Sequence, residues 1–519
     1  MSKLKIASLF TLAVVIGLFS CRSGELKEDN KAEKPNIVII YMDDLGYGDV
    51  SAYQSGTLET PNMDRLFNEG IRFTNGYASS ATCTPSRYAL LTGTYPWRNK
   101  NAKILPGTAP LLIDTAQYTL PRMLQENGYN TGIVGKWHLG LGLGNVDWNQ
   151  EIKPGPNQVG FDYSYILAAT QDRVPTVYIE DGRVVGLDPS DPIEVNYQEN
   201  FPGEPTALTH PEMLEMKWHH GHNNSIVNGI PRIGFMKGGD AAKWSDVDMA
   251  DHFLEIATQF VRDQSKSEKP FFLYYAMQQP HVPRTPHPRF VGKSGMGPRG
   301  DVILEADWVI GEFLKTLEEE GILENTLIIF SSDNGPVIND GYYDEAVEKL
   351  GDHTPWGSLR GGKYSLFEAG TRVPFATYWK GTIQPGVSNA FVTQIDLMSS
   401  IAQLIGATST AKDSQDLMDA FLGKSQTGRT EFVLEATSRT AFRQGEWVMI
   451  PPYPGPEVLG NVNIELGNSK EYQLYNLKKD LGQQTNLAES NPEKLQELIR
   501  RYEEIKGESE SAIEPVELK

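Results

Sequence analysis

The run Asn36-Ile37-Val38-Ile39-Ile40-Tyr41, cut off by Met42-Asp43-Asp44, decides the fold. An unbroken, β-branched apolar run of this length marks a strand covered on both faces. Three later runs repeat the pattern. Residues 129–134 lead into Gly135-Lys136-Trp137-His138, and 271–277 into Gln278-Gln279-Pro280-His281. Residues 326–331 lead into Ser332-Asp333-Asn334-Gly335. Helical periodicity lies between them, at 63–69, 119–126, 249–264 and 303–320. Strands alternating with helices predict an α/β fold: a large, mostly parallel sheet sandwiched by helices. Ligands of such sheets bind beyond the carboxyl ends of the strands. Here those ends carry Asp-Asp, Lys and His, His, and Asp-Asn, a repetition that packing does not require.

The chain of 519 residues has 67 Asp and Glu against 47 Lys and Arg, a net charge of −20. That balance argues against nucleic acid as a partner, because neutralising phosphates needs an excess of cations. Two cysteines, Cys21 and Cys83, allow at most one disulfide, so the core must hold the fold. Residues 1–20 join a positive start, Lys3 and Lys5, to an apolar stretch too short for a membrane span. Ending at Ser20-Cys21, they resemble a bacterial lipoprotein signal, in which Cys21 is lipidated; an ordinary secretory signal is the alternative. The protein is then exported and held by a lipid anchor, on the periplasmic side rather than the cell surface. Residues 21–34 read as a flexible tether. A large domain over 35–420, a small subdomain over 421–507 and an acidic tail over 508–519 follow.

Adjacent carboxylates repel unless a cation or water-filled loop separates them, which sets Asp43-Asp44 apart from a simple turn. With Asp333 and Asn334 they form an all-oxygen set, suited to Ca²⁺ or Mg²⁺ and not Zn²⁺. Ca²⁺ is favoured, since a larger ion tolerates ligands from two loops. Asp333-Asn334-Gly335 by itself reads equally as a turn.

The second cysteine opens Cys83-Thr84-Pro85-Ser86-Arg87-Tyr88-Ala89-Leu90-Leu91-Thr92-Gly93. Pro85 sits in a first helical turn, so Cys83 lies at a helix N-terminus, where free N–H groups favour an anion. The eleven residues resemble the type I sulfatase signature C-x-P-S-R-x-x-L-x-T-G. Asp43-Asp44, Gly135-Lys136-Trp137-His138, Pro280-His281-Val282-Pro283, Asp333-Asn334-Gly335 and Leu359-Arg360-Gly361-Gly362-Lys363 resemble the other motifs of that family, in its order. The resemblance runs from about residue 35 to 490 and implies the alkaline phosphatase-like fold.

It also implies a chemistry. In this family a maturase oxidises the motif cysteine, here Cys83, to Cα-formylglycine, whose hydrate is the nucleophile. Asp43, Asp44, Asp333 and Asn334, with an oxygen of modified residue 83, would hold Ca²⁺. Arg87, Lys136 and Lys363 would neutralise the sulfate. His281 would protonate the leaving oxygen with help from Lys363, and His138 would take a proton to release sulfate. The implied activity is hydrolysis of sulfate esters on a carbohydrate. Two alternatives stay open: a phosphodiesterase or phosphonate hydrolase of the same superfamily, or a glycan-binding lipoprotein without activity.

Residues 145–240 break the strand–helix rhythm and read as a long binding insertion. Within it, Trp218-His219-His220-Gly221-His222 suggests a polar loop for sugar hydroxyls, a zinc site or plain surface histidines. Asp172, Arg173, His220, His222 and His353 are substrate-contact candidates. From about residue 420, short alternating runs predict a smaller antiparallel sheet, and Asn491-Pro492-Glu493 opens a final amphipathic helix.

Overall fold

In the computed structural model, residues 34–54 and 56–507 are described. The readings for the signal, for Cys21, for most of the tether and for the acidic tail lie outside them. The large sheet has ten strands: β1 (Asn36–Met42), β2 (Ile71–Tyr77), β3 (Asn130–Lys136), β4 (Tyr163–Leu167), β5 (Tyr178–Glu180), β6 (Arg183–Val184), β7 (Phe271–Ala276), β8 (Thr326–Ser332), β9 (Phe375–Tyr378) and β10 (Gly386–Thr393). Their spatial order is β10-β2-β9-β8-β1-β7-β3-β4-β5-β6. The centre, β8-β1-β7-β3-β4, is parallel. β9 runs antiparallel to both its neighbours, so the sheet is mixed.

All four apolar runs are therefore neighbours at the middle of the sheet. Their register explains the site: Tyr41 pairs with Ala276 and Ser331, and Ala276 with Gly135. The polar residues that follow each strand thus emerge at one level on one edge.

β1 shows why a continuous apolar run was needed. Ile37, Ile39 and Tyr41 enter one core with Leu90 and Leu91 of α2 (Cys83–Thr92), Met123 of α3 (Leu120–Glu126) and Ile401 of α6 (Leu397–Ile405). Val38, Ile40 and Met42 enter the other, with Phe67 of α1 (Pro61–Glu69), Phe253 of α4 (Met249–Gln264) and Phe313 of α5 (Gly297–Glu319). Each such side chain contributes roughly 1.5–3 kcal/mol on full burial. A charge at either parity would face a closed core.

The insertion reading needs one correction: residues 145–240 hold three strands of the main sheet, β4, β5 and β6. Asp181-Gly182 is the tight turn of the β5–β6 hairpin. Asp181 and Gly182 have φ of 44° and 81°, the positive values such turns demand. The rest of the segment makes short ribbons, 194–196 with 235–237 and 226–227 with 230–231; 217–218 pairs with 342–343.

A second, antiparallel sheet holds β11 (Glu431–Ala436), β12 (Arg439–Gln444), β13 (Trp447–Ile450) and β14 (Gln473–Asn476). On it lies α7 (Pro492–Gly507), which contributes Leu498 to the core, with Leu495, Ile499 and Tyr502 around it. The same core includes Tyr77, Ala81 and Trp97, so the small sheet is packed directly behind the segment leading into α2. Among the described residues no helix is long and apolar enough to cross a membrane.

Candidate active site

Cys83 is the first residue of α2, and no side chain caps the helix start, because Thr82 makes no capping bond. The helix N-terminus therefore faces the cluster with free N–H groups and a favourable dipole. One turn on, Arg87 is fully buried. Its Nε and Nη2 donate to Asp333 Oδ2 at 3.1 and 2.8 Å, and Nη1 donates to the Lys136 carbonyl at 3.2 Å. Lys136, the last residue of β3, reaches Asp43 Oδ2 at 2.5 Å. Lys363 spans Asp44 Oδ2 at 2.9 Å and Asp340 Oδ2 at 2.8 Å. Asn334 donates through Nδ2 to Asp44 Oδ1 at 2.7 Å. The structure thus brings Asp43, Asp44, Arg87, Lys136, Asp333, Asn334 and Lys363 into one buried network, joined by Asp44 N donating to Asp333 Oδ1 at 3.3 Å, with Cys83 buried beside it.

Buried charge is costly unless paired, and here the pairing is incomplete in one informative way. Asp43 Oδ1 and Asn334 Oδ1 are buried without a hydrogen-bond partner. Burial and the neighbouring Asp333 carboxylate push Asp43 well above the usual carboxylate range, against the pull of Lys136. Two orphaned oxygens beside repelling carboxylates are what a hard divalent cation would satisfy, so the donor set fits Ca²⁺. Asp43, Asp44 and His281 also offer atoms within 4.8 Å of one another. The oxygens make the better ligands for a hard ion, because His281 Nδ1 is already bound to the Val282 carbonyl at 2.6 Å.

The two motif histidines are differently tied. His138 has Nε2 2.9 Å from the Leu105 carbonyl, so Nε2 carries the proton, while Nδ1 is buried and unpartnered. His281 has Nε2 3.9 Å from Asp44 Oδ2. Burial holds both rings well below the ordinary imidazole range; Lys136 adds to it at His138, and Lys363 and Lys136 at His281. Burial also pushes the Cys83 thiol up, which disfavours the thiolate that a cysteine nucleophile needs. Lys363 goes the other way: burial would lower it, but Asp340 and Asp44 outweigh that and keep it protonated.

Beside this network is a cavity of about 220 Å³. Cys83, His281 and Lys363 line it, and so do Asp172, Arg173, His220 and His222 from the candidate substrate set. Asp172 is fixed by His222 Nε2 at 2.8 Å and Arg173 at 3.1 Å, which hold it well below the usual carboxylate range despite burial. His353 is elsewhere. It is buried with Nε2 2.8 Å from Asp49 Oδ1 and Nδ1 2.7 Å from Thr57 Oγ1, beside the Arg299–Asp49 pair, and does not line the cavity.

Sequence reasoning missed Asp340, the second partner of Lys363, because Asn339-Asp340-Gly341 looks like any turn. It also missed Ile104, Ile233 and Tyr364, and the ribbon residues Leu459, Asn461 and Val462, which line the cavity from distant parts of the chain. No local pattern flags an apolar residue as a cavity wall.

The sulfatase family model matches residues 35–407. The chain is 48% identical to the N-acetylgalactosamine-6-O-sulfatase of Bacteroides thetaiotaomicron, over 96% of this chain and 99% of that one. It is 29% identical to human arylsulfatase A over 93% of this chain and 89% of the other. A solved Bacteroides thetaiotaomicron structure, described under the metabolism of multiple glycosaminoglycans, superposes with a TM-score of 0.90 at 49% identity. It covers 92% of this chain and 100% of that one.

Proposed function

Because this chain belongs to the sulfatase family, we propose that it removes sulfate from a glycan, with the 6-sulfate of an N-acetylgalactosamine unit as its target. The observation that carries this reading is the gathering of Arg87, Lys136 and Lys363 onto Asp333, Asp43 and Asp44, beside a cavity lined by residue 83. A sulfate ester has an anionic head and a neutral sugar body, and the site places Lys363 in a chamber that mixes charged and imidazole groups with apolar ones. The extent of the likeness to the N-acetylgalactosamine-6-O-sulfatase supports the choice of sugar.

Asp43, Asp44, Asp333 and Asn334 would hold Ca²⁺. With residue 83 oxidised, the hydrated formylglycine would supply the attacking oxygen and the cation would supply charge stabilisation at sulfur. Lys136 and Arg87 orient that centre through the carboxylates they bind. Lys363 is a protonated donor at the cavity floor. His281 uses Nδ1 to hold the Val282 carbonyl, leaving Nε2 for chemistry. A bound sulfate anion raises its affinity for a proton, which Nε2 then passes to the leaving sugar oxygen. His138 is set up for the reverse role. Nε2 is spent on Leu105, so the lone pair on Nδ1 is the acceptor that takes a proton as sulfate departs. The Asp172–His222–Arg173 group meets the sugar hydroxyls.

Sulfate release from a panel of mono- and disaccharides sulfated at single positions, with enzyme co-expressed with a maturase, tests the reading. Turnover of N-acetylgalactosamine 6-sulfate above the 4-sulfate and above 6-sulfated glucosamine is expected. Equal turnover of all three contradicts the choice of sugar, and no release from any contradicts the activity.

A further inference from the structure

The cavity that holds residue 83 is not polar throughout. Its charged and imidazole lining accounts for a sulfate and for hydroxyls. Ile104, Ile233, Leu459 and Val462 account for neither, and of these Leu459 and Val462 stand together on one ribbon. These two pack with Tyr364, Val337 and Ile464 into a small apolar cluster of their own. Tyr364 is the residue after Lys363, so the cluster begins one position from that cation.

The wall is built to stay in place. Val458 and Leu459 pair with Glu465 and Ile464 in a two-stranded ribbon, and the chain turns back through Gly460 to Asn463. Arg360 clamps Glu465 through two bonds, Nε to Oε2 at 2.8 Å and Nη2 to Oε1 at 2.7 Å. Ser365 Oγ donates to the Glu465 carbonyl at 2.5 Å, and Leu466 N to the Glu457 carbonyl at 2.7 Å. A ribbon pinned by a bidentate pair presents Leu459 and Val462 without ordering cost on binding. It also lies beyond residues 35–407, which match the family model.

An apolar patch inside a charged cavity is unfavourable when wet and is recovered only by an apolar ligand group. We propose that Leu459 and Val462 form a specificity wall that receives the methyl of an acylamino substituent on the sulfated sugar. It thereby selects acylamino sugars over the corresponding plain hexoses. This deepens the glycan-sulfatase reading and rests on it. Burying one methyl group against such a wall is worth about a fourfold to fivefold preference.

The test compares kcat/KM for N-acetylgalactosamine 6-sulfate with that for galactose 6-sulfate, in matured wild-type enzyme and in Val462→Thr and Leu459→Asn. Val462→Thr keeps the shape of the side chain and adds a hydroxyl. Val387→Thr, on the edge strand β10 and 53% exposed, is the control. The wild type and the control are expected to favour the acylamino sugar, and both wall variants are expected to lose about fivefold of that ratio. A ratio unchanged in both, including the case where both substrates fall together because the wall meets the C–H face of the ring, overturns the proposal. If wild-type enzyme cleaves neither sugar, the sulfatase reading itself has failed, a result distinct from an unchanged ratio.

Discussion

Asp43 makes one of the tightest contacts of the site, yet it is left half satisfied. One oxygen meets Lys136 at 2.5 Å and the other has no hydrogen-bond partner. Lys136 alone does not settle a carboxylate packed against Asp44 and Asp333, and the same deficit recurs at Asn334 Oδ1. Ca²⁺ held there would remove both deficits, and any ligand selective for the folded state stabilises it by mass action, by about 2.7 kcal/mol at a hundredfold excess over Kd. Chelation is therefore expected to lower the Tm of the wild type and to leave Asp43→Asn nearly unmoved, measured by scanning calorimetry with and without added Ca²⁺. Equal responses in the two proteins would remove Asp43 from the ligand set. At this scale the sequence was most legible where a residue sits at a strand end or inside the Cys83 motif. It was least legible where a role depends on a distant partner: Asp340 acquires meaning only through Lys363, and His353 is occupied by Asp49.

Among elements, β11 holds the segment around Cys83 directly. Glu435 is buried, and its carboxylate accepts from the Ser80 hydroxyl. Ser80 in turn ties to Thr82 and Ser86 around Cys83. Burial raises Glu435 from the usual range to about 7. A carboxyl with a raised folded-state pKa is fully stabilising below its unfolded value, and that contribution is lost as pH rises through about 7. Between pH 5 and pH 8 its ionisation thus costs on the order of 3 kcal/mol. Glu435→Gln removes that term, so the variant is expected to gain stability relative to wild type at pH 8 compared with pH 5. Denaturant melts at the two pH values measure it, and a parallel loss in both proteins would contradict it. The elements themselves were largely readable: continuous apolar runs give buried parallel strands, and the final amphipathic helix lies where its spacing put it. The β5–β6 hairpin was not, because two- and three-residue strands carry too little pattern to outweigh a turn signal.

For the whole molecule, the net charge of −20 is set against a site whose cations are gathered by folding from residues 87, 136 and 363. Average charge excludes some partners without describing the pocket. Cys83 is buried beside the carboxylate cluster with its thiol held neutral. For Cys21 we propose lipidation after export, and labelled palmitate should enter the wild type but not Cys21→Ala. Label in both, or in neither, would refute the anchor. The most direct measurement joins chemistry to covalent state: intact mass of residue 83 and sulfate release from N-acetylgalactosamine 6-sulfate, for wild type and Cys83→Ala, each with and without co-expressed maturase. Sulfate release only from wild type that has exchanged its thiol for an aldehyde, with Cys83→Ala folded and inactive, is the expected result. Turnover by Cys83→Ala, or by wild type that keeps its thiol, would contradict formylglycine as the nucleophile.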